Sequence, residues 1–286
     1  MKRIIIFVAV LFSAWSCNEQ YQPETPPQIV VEGWIESDGY PVVMLMTTVD
    51  VGRNKKEWAS LKDNVIRWAK VSVSDGDKEV VLTGKKNDDH FPPYVYTTAR
   101  IKGEAGKRYF LKVEYSGRTV TSETTIPSPV GLEWIKVVRS DQEGQVNIIA
   151  GLKDDPSTKD YYKFFSKVDG EDSTYVSSFL GLVDDEILDE GINEIAIQRG
   201  YNQIFRPEDR PVTFSDTSFV HIRLCTLDEA SYVYWEDYEA IASLSRNPFF
   251  PTSGKIRSNI KGGLGFWAGY GSSVYHVSTA DSLKVK

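Results

Sequence analysis

The side chains suited by type to chemistry are few in this chain, and they are scattered. Its three histidines, His90, His221 and His276, stand far apart, and none has the His-x-x-x-His spacing that places two imidazoles on one helical face for zinc. Asp88-Asp89-His90 and Asp184-Asp185-Glu186 offer oxygen ligands. Neither follows the spacing of a calcium loop, and solvated acidic turns are the ordinary outcome. There is no Gly-x-Ser-x-Gly elbow, and Cys225 lies between Leu224 and Thr226 in an apolar run, where a buried, inert thiol is expected. Gly263-Leu264-Gly265-Phe266-Trp267-Ala268 fits the G-x-G-x-x-A string of dinucleotide sites but lacks the strand before it and the helix after it. Its glycines read instead as places where backbones approach closely. Forty Asp and Glu could supply a carboxylate pair for glycoside hydrolysis, but no spacing singles out two of them. No catalytic residue, metal site or cofactor is expected.

Cys17 differs, because of what precedes it. Lys2 and Arg3 are followed by an uninterrupted apolar run from Ile4 to Phe12, and Ser16 stands just before the cysteine. A basic start, a short apolar stretch and a small residue at the cut describe a secretory leader over residues 1–16. Nine apolar residues at ~1.5 Å each are too short for a ~30 Å hydrocarbon core. A cysteine at the cut resembles the bacterial lipobox, in which the thiol is acylated and heads the mature protein. Ala14 and Trp15 stand where that pattern prefers Leu and a small residue. The whole chain carries 33 Lys and Arg against 40 Asp and Glu, a net charge of −7, and loss of Lys2 and Arg3 takes this to −9. An acidic surface disfavours nucleic acid and anionic lipid, so acyl chains would have to hold the protein to a membrane. With Cys17 acylated, Cys225 has no partner for an intramolecular disulfide, and stability must come from the core.

Residues 17–28, with three prolines and no apolar periodicity, read as an extended tether. Alternating or β-branched segments then recur between Gly, Asp and Pro punctuation: 29–35, 42–46, 68–73, 79–82, 94–96, 109–115 and 119–121. That spacing predicts an immunoglobulin-like β-sandwich over 29–127. Thr124 to Val130, with two prolines, marks a boundary. Residues 128–286 are expected to form a second β-rich domain. Within it, Asp228 can cap a helix near 228–245 whose Tyr234, Tyr238, Ile241 and Leu244 recur at helical spacing, before Asn247-Pro248 ends it. The fold class is mainly β with one helix.

Aromatics near the C-terminus are the remaining candidates for function. Phe249 and Phe250 sit between prolines, and Trp267 and Tyr270 lie among glycines. Packing is their ordinary role. The functional reading is a hydrophobic face for a partner protein.

Several motifs in order resemble a known family: the lipobox, Val30 to Val43 (VVEGWIESDGYPVV), a Tyr-x-Leu-x-Val strand followed by Thr-Thr-Ile-Pro-Ser-Pro, Lys153-Asp154-Asp155-Pro156 with Asp160-Tyr161-Tyr162, and Ser258 to Gly271 (SNIKGGLGFWAGYG). Together they are similar to the Bacteroidetes lipoproteins grouped as domain of unknown function 4249. The resemblance carries over no catalytic residue. It implies an outer-membrane lipoprotein, often encoded beside a TonB-dependent receptor. The leading expectation is a non-enzymatic partner or ligand-capturing subunit of such a transporter. The alternatives are a surface hydrolase acting on glycan or peptide, and a structural envelope or adhesion module.

Overall fold

The computed structural model describes residues 27–48, 64–200, 211–244 and 256–282, so the leader, Cys17, Phe249 and Phe250 lie outside the described residues. Strands form where the sequence alternates. In β7 (Arg108–Tyr115), Tyr109, Leu111 and Val113 are buried while Arg108 and Phe110 face outward. Eight strands occupy the first half: β1 (Ile29–Glu36), β2 (Val42–Thr47), β3 (Lys70–Ser74), β4 (Glu79–Val81), β5 (Thr83–Lys86), β6 (Tyr94–Thr97), β7 and β8 (Arg118–Thr125). The second half adds β9 (Leu132–Arg139), β10 (Gln145–Lys153), β11 (Tyr161–Val168), β12 (Val176–Asp184), β13 (Ile192–Ile197), β14 (Phe214–Ser215), β15 (Phe219–Leu227), the helix α1 (Glu229–Leu244) and β16 (Leu264–Ser278).

A central eight-stranded sheet runs β12-β11-β15-β16-β1-β2-β6-β5. Two smaller sheets pack on one of its faces. The first, β4-β3-β7-β8, closes a core with Val31, Ile35 and Leu45 of the central sheet, Val71 and Val73 of β3, and Leu111 and Val113 of β7. The second is built on β10, with β9 on one side and β13 and β14 on the other. It closes a separate core with Tyr162 and Phe164 of β11 and Ile222 and Leu224 of β15. The mainly β fold and the sandwich layering follow the expectation.

The expected division at 127/128 does not separate two sheets. β16 belongs to the second half, yet it lies antiparallel to β15 and parallel to β1, so the central sheet runs unbroken across the boundary. Thr124 to Val130 does not leave the body as a linker either. It passes over β16 where Gly269 and Gly271 make room: an added Cβ would come within 2.6 Å of the Thr125 carbonyl oxygen and 2.5 Å of that of Pro127. The glycine-rich segment, whose glycines the sequence marks as places of close backbone approach, is part of a 15-residue strand, Leu264–Ser278.

The other face of the central sheet carries α1. Asp228 caps it, its Oδ1 accepting from the Ser231 N–H at 2.9 Å, while its Oδ2 accepts from the Thr124 hydroxyl at 2.8 Å. One side chain therefore starts the helix and ties it to the end of β8. Midway along, the fully buried Lys163 of β11 donates to the carboxylate of Glu239 and, at 3.3 Å, to the Ser178 carbonyl. Trp235 packs edge-on to Phe165, with ring centroids 5.4 Å apart. No helix among the described residues is long and apolar enough to cross a membrane.

Candidate functional site

Alternation decides what lies beneath the helix. Along β1, Ile29, Val31 and Ile35 point into the first core, which turns Glu32, Trp34 and Glu36 to the opposite face. Val42, Met44 and Met46 of β2 share that face, as do Phe266 and Tyr270 of β16, Arg223 of β15 and Phe165 of β11. Together with Tyr234, Trp235 and Tyr238 of α1 and residues 89–92 and 173–180, they line a cavity of about 930 Å³. Aromatic rings, among them Trp34, Phe165, Tyr175, Trp235 and Phe266, share its walls with a comparable number of polar and charged side chains. Tyr234 stacks on Phe266 with ring centroids 3.8 Å apart, and the Trp235 indole N–H donates to the Tyr270 hydroxyl at 3.1 Å.

Most charges here are matched. Glu36 accepts from Arg223 Nη1 at 3.1 Å on both carboxylate oxygens, and from the Ser272 hydroxyl at 2.7 Å. The Arg223 guanidinium lies 4.3 Å from the ring centroid of Tyr175 and 4.9 Å from that of Phe165. Burial lowers the affinity of His90 for a proton, which favours the neutral ring beside Trp34. Burial also holds Tyr234, Tyr238 and Tyr270 as phenols, and the nearby Glu32 carboxylate reinforces this at all three.

Among the carboxylates on the sheet, Glu32 is the exception. In register it stands between Met44 on β2 and Phe266 on β16. Its side chain is solvent-accessible through the cavity, though walled by protein atoms, and has no hydrogen-bond or ion-pair partner among the described residues. Burial raises its carboxyl from the ordinary 4.5 to about 7. A second carboxylate on the same strand, Glu36, is four residues away, roughly 13 Å at ~3.3 Å per residue. Paired-carboxylate hydrolysis works at about 5–9.5 Å, so these two backbone positions do not present such a pair.

A second cluster lies farther along the same face. His221 and His276 are directly opposed on β15 and β16, with their Nδ1 atoms 2.7 Å apart, and Asp169 lies 2.7 Å from His221 Nε2. Among the described residues, no group of three or more His, Cys, Asp or Glu is placed to hold a metal ion.

Of the residues singled out as a docking face, Trp267 is fully buried, its indole N–H donating to the Tyr109 carbonyl at 3.2 Å in the first core. Tyr270 is 2 % exposed and forms part of the cavity wall. Neither presents an outer surface to a partner, because β16 is covered on both faces at these positions. Phe249 and Phe250 lie outside the described residues. Cys225 is buried, and burial pushes its thiol up to about 11, as its apolar run suggested. Sequence reasoning passed over Glu32, whose only local signal was a carboxylate among apolar neighbours in Val30-Val31-Glu32-Gly33-Trp34.

The fold and cavity define a mainly β protein in which two sandwich cores share one sheet and a single long helix closes an aromatic cavity on the sheet's other face. The chain belongs to the family described as a domain of unknown function (DUF4249), whose family model matches residues 18–275. No curated protein matches it.

Proposed function

We propose that this protein is a non-enzymatic, lipid-anchored protein of the outer membrane that captures a small ligand and works beside a TonB-dependent transporter. The cavity under α1 carries the capture. At about 930 Å³ it falls within the range of small-molecule sites, and its lining combines aromatic rings with polar and charged groups that could fix a ligand's orientation. The leader and Cys17 support the anchor. The partnership rests on the family resemblance. A hydrolase is the rival reading, favoured by one observation: a carboxyl raised to about 7, such as Glu32, suits a general acid. It lacks a second, correctly spaced carboxylate on its own strand.

The test is affinity isolation of the lipidated protein from outer membrane solubilised in mild detergent, beside a Cys17→Ala variant. The expected result is a TonB-dependent receptor as stoichiometric partner, a small molecule released on denaturation, and loss of membrane association in the variant. Isolation of the protein alone and empty, or membrane association unchanged by Cys17→Ala, would refute the proposal.

A further inference from the structure

The cavity has a chemical bias that its volume does not convey. Glu32 is the unmatched carboxylate on its sheet floor. Glu36 is engaged by Arg223 and Ser272, and Glu239 by Lys163. Lys167, the one lining lysine, is no counter-ion for Glu32. It pairs in register with His221, which faces His276, whereas Glu32 faces Phe266, ten residues back along β16. Arg199, at another part of the lining, is held by Glu171 at 2.9 Å.

A carboxylate that opens into a largely walled cavity with no ion-pair partner among the described residues leaves its charge to be balanced by whatever occupies the cavity. Around this one stand the Phe266 ring, the Met44 thioether and the Tyr234 and Tyr238 rings. Aromatic faces attract cations through their quadrupoles, and the attraction strengthens where water is displaced. Tyrosines held as phenols add no opposing charge. Among the described residues, no backbone amide or cationic side chain is bonded to the Glu32 carboxylate, so an anionic ligand group would meet repulsion there.

We propose that the cavity takes an organic cation, an ammonium group carried on an apolar or aromatic body, with the Glu32 carboxylate as its counter-ion and the rings of Phe266, Tyr234 and Tyr238 as its walls. This rests on the capture reading above and narrows it to a ligand class. The positive group sits against β1, and the apolar body extends under α1 toward Trp34 and Trp235.

The test compares phenethylamine with phenethyl alcohol, its neutral isostere, by ligand-detected NMR and calorimetric titration at pH 8. The protein is the full-length mature chain, wild type and Glu32→Gln, and maltotriose serves as a neutral sugar probe. In wild type the amine is expected to bind at least tenfold more tightly than the alcohol, and in Glu32→Gln the preference should vanish while alcohol binding persists. Equal binding of amine and alcohol by wild type would overturn the cation assignment and leave ligand capture standing. Binding of maltotriose in place of the amine would also overturn it, in favour of a sugar site. If none of the three binds, the capture reading falls together with the cation assignment.

Discussion

Replacing Glu32 with Gln should stabilise this protein, in a manner that depends on pH. In the unfolded chain the carboxyl titrates near its ordinary 4.5, and in the folded protein near 7. Below about pH 4.5 both states hold the proton, and Glu32 contributes nothing to stability. Between 4.5 and 7 the unfolded state has lost the proton and the folded state keeps it, so stability falls as pH rises. Above 7 the full penalty persists. At ~1.4 kcal/mol per tenfold change in proton affinity, the ceiling is roughly 3 kcal/mol. The side chain is open to solvent within the cavity, and screening there brings the expected effect to about 1–2 kcal/mol. Gln keeps the shape and removes the charge. Thermal melts by scanning fluorimetry from pH 4 to 8.5 should therefore show no difference at pH 4, then a gap that opens between pH 4.5 and 7. At ~2–4 °C per kcal/mol for a chain of this size, the gap should level off at about 2–8 °C in favour of the variant. A variant that melts below wild type at pH 8, or a gap independent of pH, would refute the picture of an unmatched carboxylate. Glu36→Gln is the contrasting case. It weakens a matched ion pair around the buried Arg223 and should lower the melting temperature at neutral pH.

Three further outcomes follow from the packing. Trp267→Ala removes the largest side chain of the first core and leaves the Tyr109 carbonyl without its donor; it should cost about 3–5 kcal/mol by chemical denaturation, and a change below ~1 kcal/mol would contradict the burial described. Asp228→Ala removes both the helix cap and the bond to Thr124, and should cost about 1–2 kcal/mol while raising protease susceptibility around α1; Asn at this position should restore most of the loss. Melts with and without reductant should coincide, since Cys225 is buried and unpaired, and a large drop on reduction would mean an intermolecular bridge through it.

The strands of the first half were legible because each carries its own alternation. Residues 109–115 bury every second side chain, and Ser116-Gly117 supplies the turn into β8. The helix was legible because Asp228 and the tyrosines at 234 and 238 mark its start and its inner face. The shared sheet was not legible, because a parallel pairing between residue 31 and residue 265 leaves no trace in either segment alone. Glycines at 265, 269 and 271 resemble turn residues until the strands and crossing chain beside them are known. Glu32 was missed for the same reason. On one strand of a sandwich a carboxylate between apolar residues marks the solvent side, and only a helix some 200 residues later walls that side into a cavity. His221 and His276 likewise meet only through the register of β15 with β16.

The insertion of β16 between β15 and β1 also governs how the protein comes into being. Chains are delivered N-terminus first at about 5–20 residues per second, so β1 waits on the order of 10–50 s for the strand that completes its pairing. During that time one side of a strand rich in Val and Ile has no hydrogen-bonding neighbour and is open to adventitious strand pairing. The first half is therefore not a self-sufficient folding unit. Fragments ending near residue 127, in which β1 keeps β2 but lacks β16 on its other side, are expected to aggregate.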